Sequence, residues 1–290
     1  MRFKIVYSLF VLSFLLVIAS ATVSCTGGST QSELSFDSLR IDTVIPFSTQ
    51  SSNPAISISM KFDYAASGAA DVKDAFNSAI IGITPALTEG EMPFGQDECD
   101  VPQMMRKLVD LLNDNYHKEL SEFVSNYDDI NETSWLNYEA NYEGTIVAKV
   151  NQFLSYQIIA YFYTGGAHGS TICNYRVFDT AQNSVVQLGD IVSENTRPYI
   201  AELMANKPSP DFDGKSLAQM KKEGYFFEDA VLDLPDNFFI TEDGITFVFQ
   251  QYEIAPYAMG IISVDLTWEE LQPLLPKESV VLSIAEAKQS

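Results

Sequence analysis

The chain has 290 residues, 46% of them hydrophobic, with 39 acids against 17 bases and a net charge of −22. An acidic balance of this size lacks the basic footprint that nucleic-acid binding requires and opposes docking onto anionic lipid by charge. It suits solubility and draws basic partners, peptides or cations.

The N-terminus reads as a targeting segment. "MRFK" is basic, "IVYSLFVLSFLLVIA" (5–19) is apolar, and "SATVSC" brings small residues up to Cys25, in the order of a secretory signal. A spanning helix needs about 20 apolar residues, and this run is shorter. The cysteine after small residues looks like a lipobox, although Thr22-Val23-Ser24 lacks the usual leucine. Cleavage before Cys25 and a lipid on its thiol are therefore expected, with simple secretion or a retained anchor as alternatives. Loss of residues 1–24 removes Arg2 and Lys4 and no acid, which takes the net charge from −22 to −24. Residues 25–33 read as a flexible tether. The expected location is the bacterial cell envelope, outside the cytoplasm and lipid-anchored.

Residues 33–45 alternate partly, and "AISISMKFDY" (55–64) alternates clearly, so both are predicted strands. The period then changes. Val72, Ala75, Phe76, Ala79, Ile80 and Ile83 follow helical spacing, with Asp71 as the expected cap. Residues 84–100 form an acidic loop. Val101, Met104, Met105, Leu108, Val109, Leu112, Tyr116, Leu120, Phe123 and Val124 recur every three or four positions, the best helix in the chain, with Asp100 as its cap. The methionines read as core filler.

Residues 143–163 predict two strands breaking near Asn151-Gln152, and 170–180 a third, together an antiparallel meander. Residues 193–206 predict a helix capped by Ser193, and "SLAQMKKEG" a shorter one ended by Gly224. "NFFITEDGITFVFQ" (237–250) is a hairpin signal around Glu242-Asp243-Gly244, "IISVDLTW" a strand and "WEELQPLL" a short helix. Strands and helices without regular βα alternation argue an α+β fold with antiparallel sheets. The expected division is an N-terminal subdomain over 34–150, a C-terminal one over 151–276 and a tail over 277–290.

With Cys25 lipidated, Cys99 and Cys173 are the candidates for one disulfide, an even pair outside the cytoplasm. "YFYTGGAHGSTICNY" (161–175) holds one of the two histidines of the chain. Gly165 and Gly166 allow the positive φ of a tight turn. In a continuous strand His168 and Cys173 lie five residues apart at about 3.3 Å each and on opposite faces, which opposes a catalytic dyad needing about 3 Å. A serine hydrolase using Ser170 lacks the G-x-S-x-G elbow. His168 is expected to hydrogen-bond across the turn and pin a hairpin corner.

His117 reads as a solvated histidine on the polar side of its helix. "DFDGK" (211–215) resembles half of a calcium loop, but position twelve is Lys222 where glutamate is needed. A looser calcium site around Glu89, Glu91, Asp97, Glu98 and Asp100 competes with a solvated loop. No metal site and no cofactor is predicted. In "QQYEIAPYAMG" (250–260), Tyr252, Tyr257 and Met259 either pack at the end of a sheet or line a recognition surface.

"YFYTGGAHGS", "LGDIV" and "FFITEDGITFVFQQYEIAPYAMG" followed by "ISVDLTWEELQPLL" resemble the paired extracellular domains found in the peptidoglycan deacetylase PdaC and in the lysozyme-sensing anti-sigma factor RsiV. The resemblance runs from about residue 40 to 275, and only the tyrosine-to-histidine stretch and "YEIAPYA" together make it specific. Family members often carry Pro-Asn after the histidine, where this chain has Gly169-Ser170, which weakens a histidine-centred role. The resemblance implies an α+β envelope module that binds, because a separate domain performs the deacetylase chemistry. No catalytic residues are assigned. The partners it implies are a basic lysozyme-like protein or peptidoglycan. Candidate contacts are Tyr161, Tyr163, Gly165, Gly166 and His168 in one stretch and Tyr252, Glu253 and Tyr257 in the other. The alternatives are an envelope hydrolase using His168 and a purely structural envelope protein.

Overall fold

A computed structural model describes residues 33–48, 51–86, 99–126, 134–207, 217–226 and 232–287. The leader, Cys25, the tether, Glu89 to Glu98 of the acidic loop and "DFDGK" lie outside the described residues. The larger sheet has six strands in chain order: β1 (Ser35–Ser48), β2 (Ser51–Ser67), β3 (Tyr138–Val150), β4 (Phe153–Tyr163), β5 (Ser170–Asp179) and the two-residue β6 (Ser184–Val185). Two helices, α1 (Ala70–Ile83) and α2 (Val101–Asn126), fall between β2 and β3. They make a crossover, and β2 accordingly pairs with β3 in parallel, from Ile56 opposite Tyr138 to Phe62 opposite Gly144. This departs from the expectation of antiparallel pairing alone; the other pairs of both sheets are antiparallel.

The helices cover one face of the sheet because the strands alternate. Ile56, Ile58, Met60 and Phe62 of β2 and Tyr156, Ile158, Ala160 and Phe162 of β4 point into one core with Phe76 and Ile80 of α1. From α2 this core receives Val101, Met104, Met105, Leu108, Leu112, Tyr116 and Leu120, all nearly or fully buried. The helical period and the role of the methionines are as read, except that Val124 is exposed. Burying each such side chain contributes roughly 1.5–3 kcal/mol. Asp100 caps α2 in a reciprocal box: Gln103 N donates to Asp100 Oδ1 at 2.7 Å and Asp100 N to Gln103 Oε1 at 3.1 Å. Asp71, by contrast, sits inside α1; its N-cap is Ala69, with no side-chain bond.

The second half of the chain builds a different core. After β6 come α3 (Leu188–Ile191), α4 (Arg197–Ala205) and α5 (Leu217–Lys222), then a three-stranded sheet of β7 (Phe238–Ile240), β8 (Gly244–Phe249) and β9 (Ile262–Thr267), then α6 (Trp268–Leu271) and α7 (Leu282–Ala287). The hairpin around Glu242-Asp243-Gly244 forms as predicted. Helix α4 starts four residues after Ser193, which instead opens a turn by accepting Thr196 N at 3.0 Å. The predicted tail is not peripheral: Val281, Ile284 and Ala285 join the core made by Phe247, Val264, Trp268 and Ile200.

The two sheets are stapled together. The hydroxyl of buried Ser155 on β4 donates to Ile240 O at 2.9 Å and accepts from Ile240 N at 3.0 Å. Residues Ser32–Ser290 accordingly form one compact unit. The six-stranded sheet runs unbroken through the β3–β4 turn, so a boundary at 150 cuts a hairpin, Val150 pairing with Phe153. No disulfide joins Cys99 to Cys173. Cys99 packs at the helix side of the large sheet, while Cys173 on β5 faces the opposite side, against Tyr175 and Val248. Among the described residues no helix is long and apolar enough to cross a membrane.

Candidate functional site

Strand β5 would leave its outer edge bare, since β6 pairs only with Phe178 and Asp179. Side-chain amides occupy that edge instead. Gln251 Oε1 accepts Thr171 N at 2.8 Å, and Gln250 Oε1 accepts Cys173 N at 3.0 Å while its Nε2 donates to Cys173 O at 2.7 Å. Asn237 continues the pattern, accepting Tyr175 N at 2.7 Å and donating to Cys173 O at 2.8 Å. These amides replace the missing ladder bonds of a neighbouring strand. In doing so they carry the 250–260 bend to the β4–β5 turn.

The bend closes on itself. Glu253 N donates to Gln250 O at 3.1 Å, and Gln250 N donates to Glu253 Oε2 at 2.6 Å. Glu253 thus serves the turn. Tyr252 between them takes φ 66°, a left-handed conformation costly for a bulky residue, and its side chain is 58% exposed. One turn of 3-10 helix, Tyr257–Met259, then presents Tyr257 to the other stretch.

There the two stretches meet. The His168 ring stacks on Tyr257 with centroids 3.9 Å apart and planes 18° apart. Gly169 O accepts twice, from Tyr257 OH at 2.9 Å and from His168 Nδ1 at 3.0 Å. A carbonyl only accepts, so Nδ1 carries a proton. Tyr252 lies 5.7 Å from the Tyr257 ring, so the three rings form an aromatic platform. His168 does pin the corner, but by stacking onto the bend and bonding its neighbour's carbonyl.

The turn's glycines have steric reasons. Gly165 has φ 85°, and a Cβ there would stand 2.8 Å from Trp135 O; at Gly169 it would meet the Tyr161 ring at 2.5 Å. Trp135, 42% exposed, packs edge-on to Phe123 at 4.8 Å and was not among the residues singled out from sequence. Tyr163 OH donates to Gly166 O at 3.0 Å.

Tyr161 and Tyr163 do not join the platform. They stand on the face of the large sheet opposite the helices. Three rungs cross this face by register: Val44–Ser57–Glu139–Tyr163, Asp42–Ser59–Asn141–Tyr161, and Arg40–Lys61–Glu143–Ile159. The first two rungs apart from Tyr161, with Asn137, Thr43 and Ile58, line a groove of about 720 Å³. A smaller hollow of about 280 Å³ adjoins it at Tyr161 and Lys61. Sequence reading passed over all but the tyrosines, since hydroxyls and amides on alternate strand positions look like an ordinary solvent face.

The other candidates resolve as follows. Cys173 is buried, Gln157 Nε2 approaches its Sγ at 3.6 Å, and burial pushes its thiol up. Among the described residues the His168 ring hydrogen-bonds Gly169 O and stacks on Tyr257, and neither interaction involves Cys173 or the Ser170 hydroxyl. His117 is only partly solvated: it is half-buried, its Nδ1 donates to Asn113 O at 3.0 Å, and its ring lies 5.5 Å from Phe47. Among the described residues no three His, Cys, Asp or Glu side chains gather as a metal-binding group.

Fold and surface together define a two-part α+β module with a long sheet-and-helix half and a smaller sheet docked on its edge. Residues 49–171 match the family model described as Deacetylase PdaC, and residues 183–269 match the model described as Protein of unknown function (DUF3298). The resemblance read from sequence is thus borne out by both halves. A crystal structure of a DUF3298-family member from Bacteroides fragilis superposes with TM-score 0.74 at 22% identity, over 89% of this chain and 99% of that one. A DUF3298-family protein from Pseudomonas aeruginosa superposes with TM-score 0.57 at 14% identity, over 86% of this chain and 97% of its own. Both bear on the fold alone. No curated protein matches the chain.

Proposed function

We propose that the chain is a lipid-anchored module of the bacterial envelope that binds without catalysing, and that a basic, lysozyme-like protein docks on the aromatic platform. The observation that carries this reading is the His168–Tyr257 stack, 3.9 Å between centroids, which together with the Tyr257–Gly169 bond across 88 residues joins two stretches into one surface. Tyr252 supports it. A bulky residue held outward at positive φ costs about 1–3 kcal/mol of backbone strain and gains little packing in return, a pattern that clusters at binding sites. The charge of −22, or −24 without the leader, steers a basic partner toward the module. The small residues before Cys25 support the anchor.

The alternative of a hydrolase using His168 finds no nucleophile among that ring's described partners. Two measurements test the proposal together. Biolayer interferometry at about 0.15 M salt against a lysozyme should give saturable binding that Tyr252→Gly abolishes. Assay of His168→Gln on wall fragments should give the wild-type result; activity that vanished with the fold intact would favour the enzyme.

A further inference from the structure

We propose that the outer edge of β1 is a self-association surface, on which a second copy of this chain lays its own β1 antiparallel, with the two-fold axis at Ile41. The two edges of the large sheet are unlike. Gln250, Gln251 and Asn237 close the β5 edge, whereas β1 pairs only with β2. The register of β1 on β2 runs without a break from Phe36 to Pro46. That leaves a long regular edge of the kind that accepts another strand.

Which backbone groups face outward follows from the register. In an antiparallel pair, alternate residues turn N–H and C=O toward the neighbouring strand and those between turn them away. Opposite Pro46, Ala55 N donates to Asn137 Oδ1 at 2.9 Å, on the β3 side. Opposite Phe36, Ala65 gives its N–H and its C=O to the Asn77 side chain, at 2.9 Å each. Neither pair is therefore bonded between β1 and β2, and Pro46 has no N–H to give. Both ends of the ladder thus turn the same set outward: Ser38, Arg40, Asp42 and Val44. Among the described residues only one of these four N–H groups finds an acceptor, Ser38 N on Asp37 Oδ1 at 2.8 Å.

The side chains select the occupant. Arg40 and Asp42 flank Ile41 with opposite charges, and both are exposed. Two-fold antiparallel pairing about Ile41 sets Arg40 opposite the partner's Asp42, and Asp42 opposite the partner's Arg40, in hydrogen-bonded positions. Centring the pair on Arg40 or on Asp42 would oppose like charges, which is unfavourable, so charge fixes the register. Arg40 already holds Asp42 of its own strand through Nε and Nη2, which leaves Nη1 to reach across. On the helix side, half-buried Leu39 and Ile41 border the seam and gain cover. The acidic surplus elsewhere repels two copies, so the attraction must come from this edge.

The experiment is sedimentation velocity on residues 33–290, the compact unit, over about a hundredfold range of concentration. The wild type should pass from monomer to dimer as concentration rises. Arg40→Asp and Asp42→Arg should each weaken self-association about tenfold or more, because each opposes two like-charged pairs across the seam. Asp42→Arg lowers the net negative charge, so charge alone would have it associate more readily. An equimolar mixture of the two variants, and the double variant R40D/D42R, should regain the wild-type dimer. Val44→Pro removes an outward N–H without touching the β1–β2 ladder and should also weaken association. Hydrogen exchange at Arg40, Asp42 and Val44 should slow in the dimer, while Ile41 and Thr43, turned toward β2, should not change. A wild type that stays monomeric throughout, a dimer that both single substitutions leave intact in folded protein, or a mixture that fails to regain it overturns the proposal.

Discussion

His168 and Tyr257 stack with their rings 3.9 Å apart and both donate to the same acceptor, Gly169 O. This single carbonyl fastens the β4–β5 turn to the 250–260 bend through Tyr257 and orients His168 within the turn. Tyr257→Phe keeps the stack and removes one bond, so it should cost about 0.5–1.5 kcal/mol in urea unfolding. Tyr257→Ala removes the stack as well and should cost more than the phenylalanine variant by about 0.5–1.5 kcal/mol.

Tyr252→Gly offers a sharper contrast. Relief of a left-handed tyrosine regains about 1–2 kcal/mol, and the extra freedom of glycine in the unfolded chain takes back about 0.5–1 kcal/mol. Thermal unfolding should therefore show a variant at least as stable as the wild type. Loss of partner binding by the same variant would mark Tyr252 as a residue kept for recognition at the expense of the backbone.

The glycines of the turn should not tolerate a methyl group. Gly169→Ala drives a Cβ to 2.5 Å from the Tyr161 ring, and overpacking of this kind costs about 1–3 kcal/mol. Gly165→Ala combines positive φ with a backbone oxygen that cannot move aside, 2.8 Å away, so it should be the worse of the two by urea midpoint.

Much of this was readable from the residues, and what was not has physical causes. Helix α2 declares itself through ten apolar positions at helical spacing and the Asp100 cap, to which the structure adds the reciprocal bond of Gln103. The β7–β8 hairpin follows from Asp243-Gly244 between β-forming runs. The parallel β2–β3 pairing depends on how α1 and α2 pack, which strand alternation does not encode. The meeting of His168 with Tyr257 rests on Gln250, Gln251 and Asn237 replacing a strand at the edge of β5. In sequence those are ordinary polar residues beside a strand. The groove was hidden for a related reason: each strand carries only one to three of its residues, and register alone brings them together.

Asn237 is the most consequential of those amides. Its side chain holds Tyr175 N, Cys173 O and Val248 O. Asn237→Leu leaves all three backbone groups without that partner. Cys173 O keeps Gln250 Nε2, but Tyr175 N loses its side-chain acceptor; with about 1–3 kcal/mol for a buried group left unpaired, the loss should be about 1–3 kcal/mol in urea unfolding, and hydrogen exchange at Tyr175 should accelerate.

The two thiols should behave differently. Burial pushes the Cys173 thiol up, so its thiolate appears only at higher pH than that of an ordinary cysteine. Iodoacetamide at pH 8 should modify half-buried Cys99 before Cys173, and the rate at Cys173 should still be rising with pH where an exposed thiol has levelled off. The mass of the protein should be the same with and without reductant, as expected if Cys99 and Cys173 are not bridged.

The central claim is that the aromatic platform is a specific recognition surface for a basic protein. The most direct measurement is calorimetric titration of residues 33–290 with a lysozyme, at low and at physiological salt, for the wild type and for Tyr252→Gly. The account predicts wild-type binding that survives physiological salt and disappears in the variant. Binding that vanishes with added salt would reduce the attraction to the net charge of −22, and binding that persists unchanged in Tyr252→Gly, or never appears, would contradict the claim.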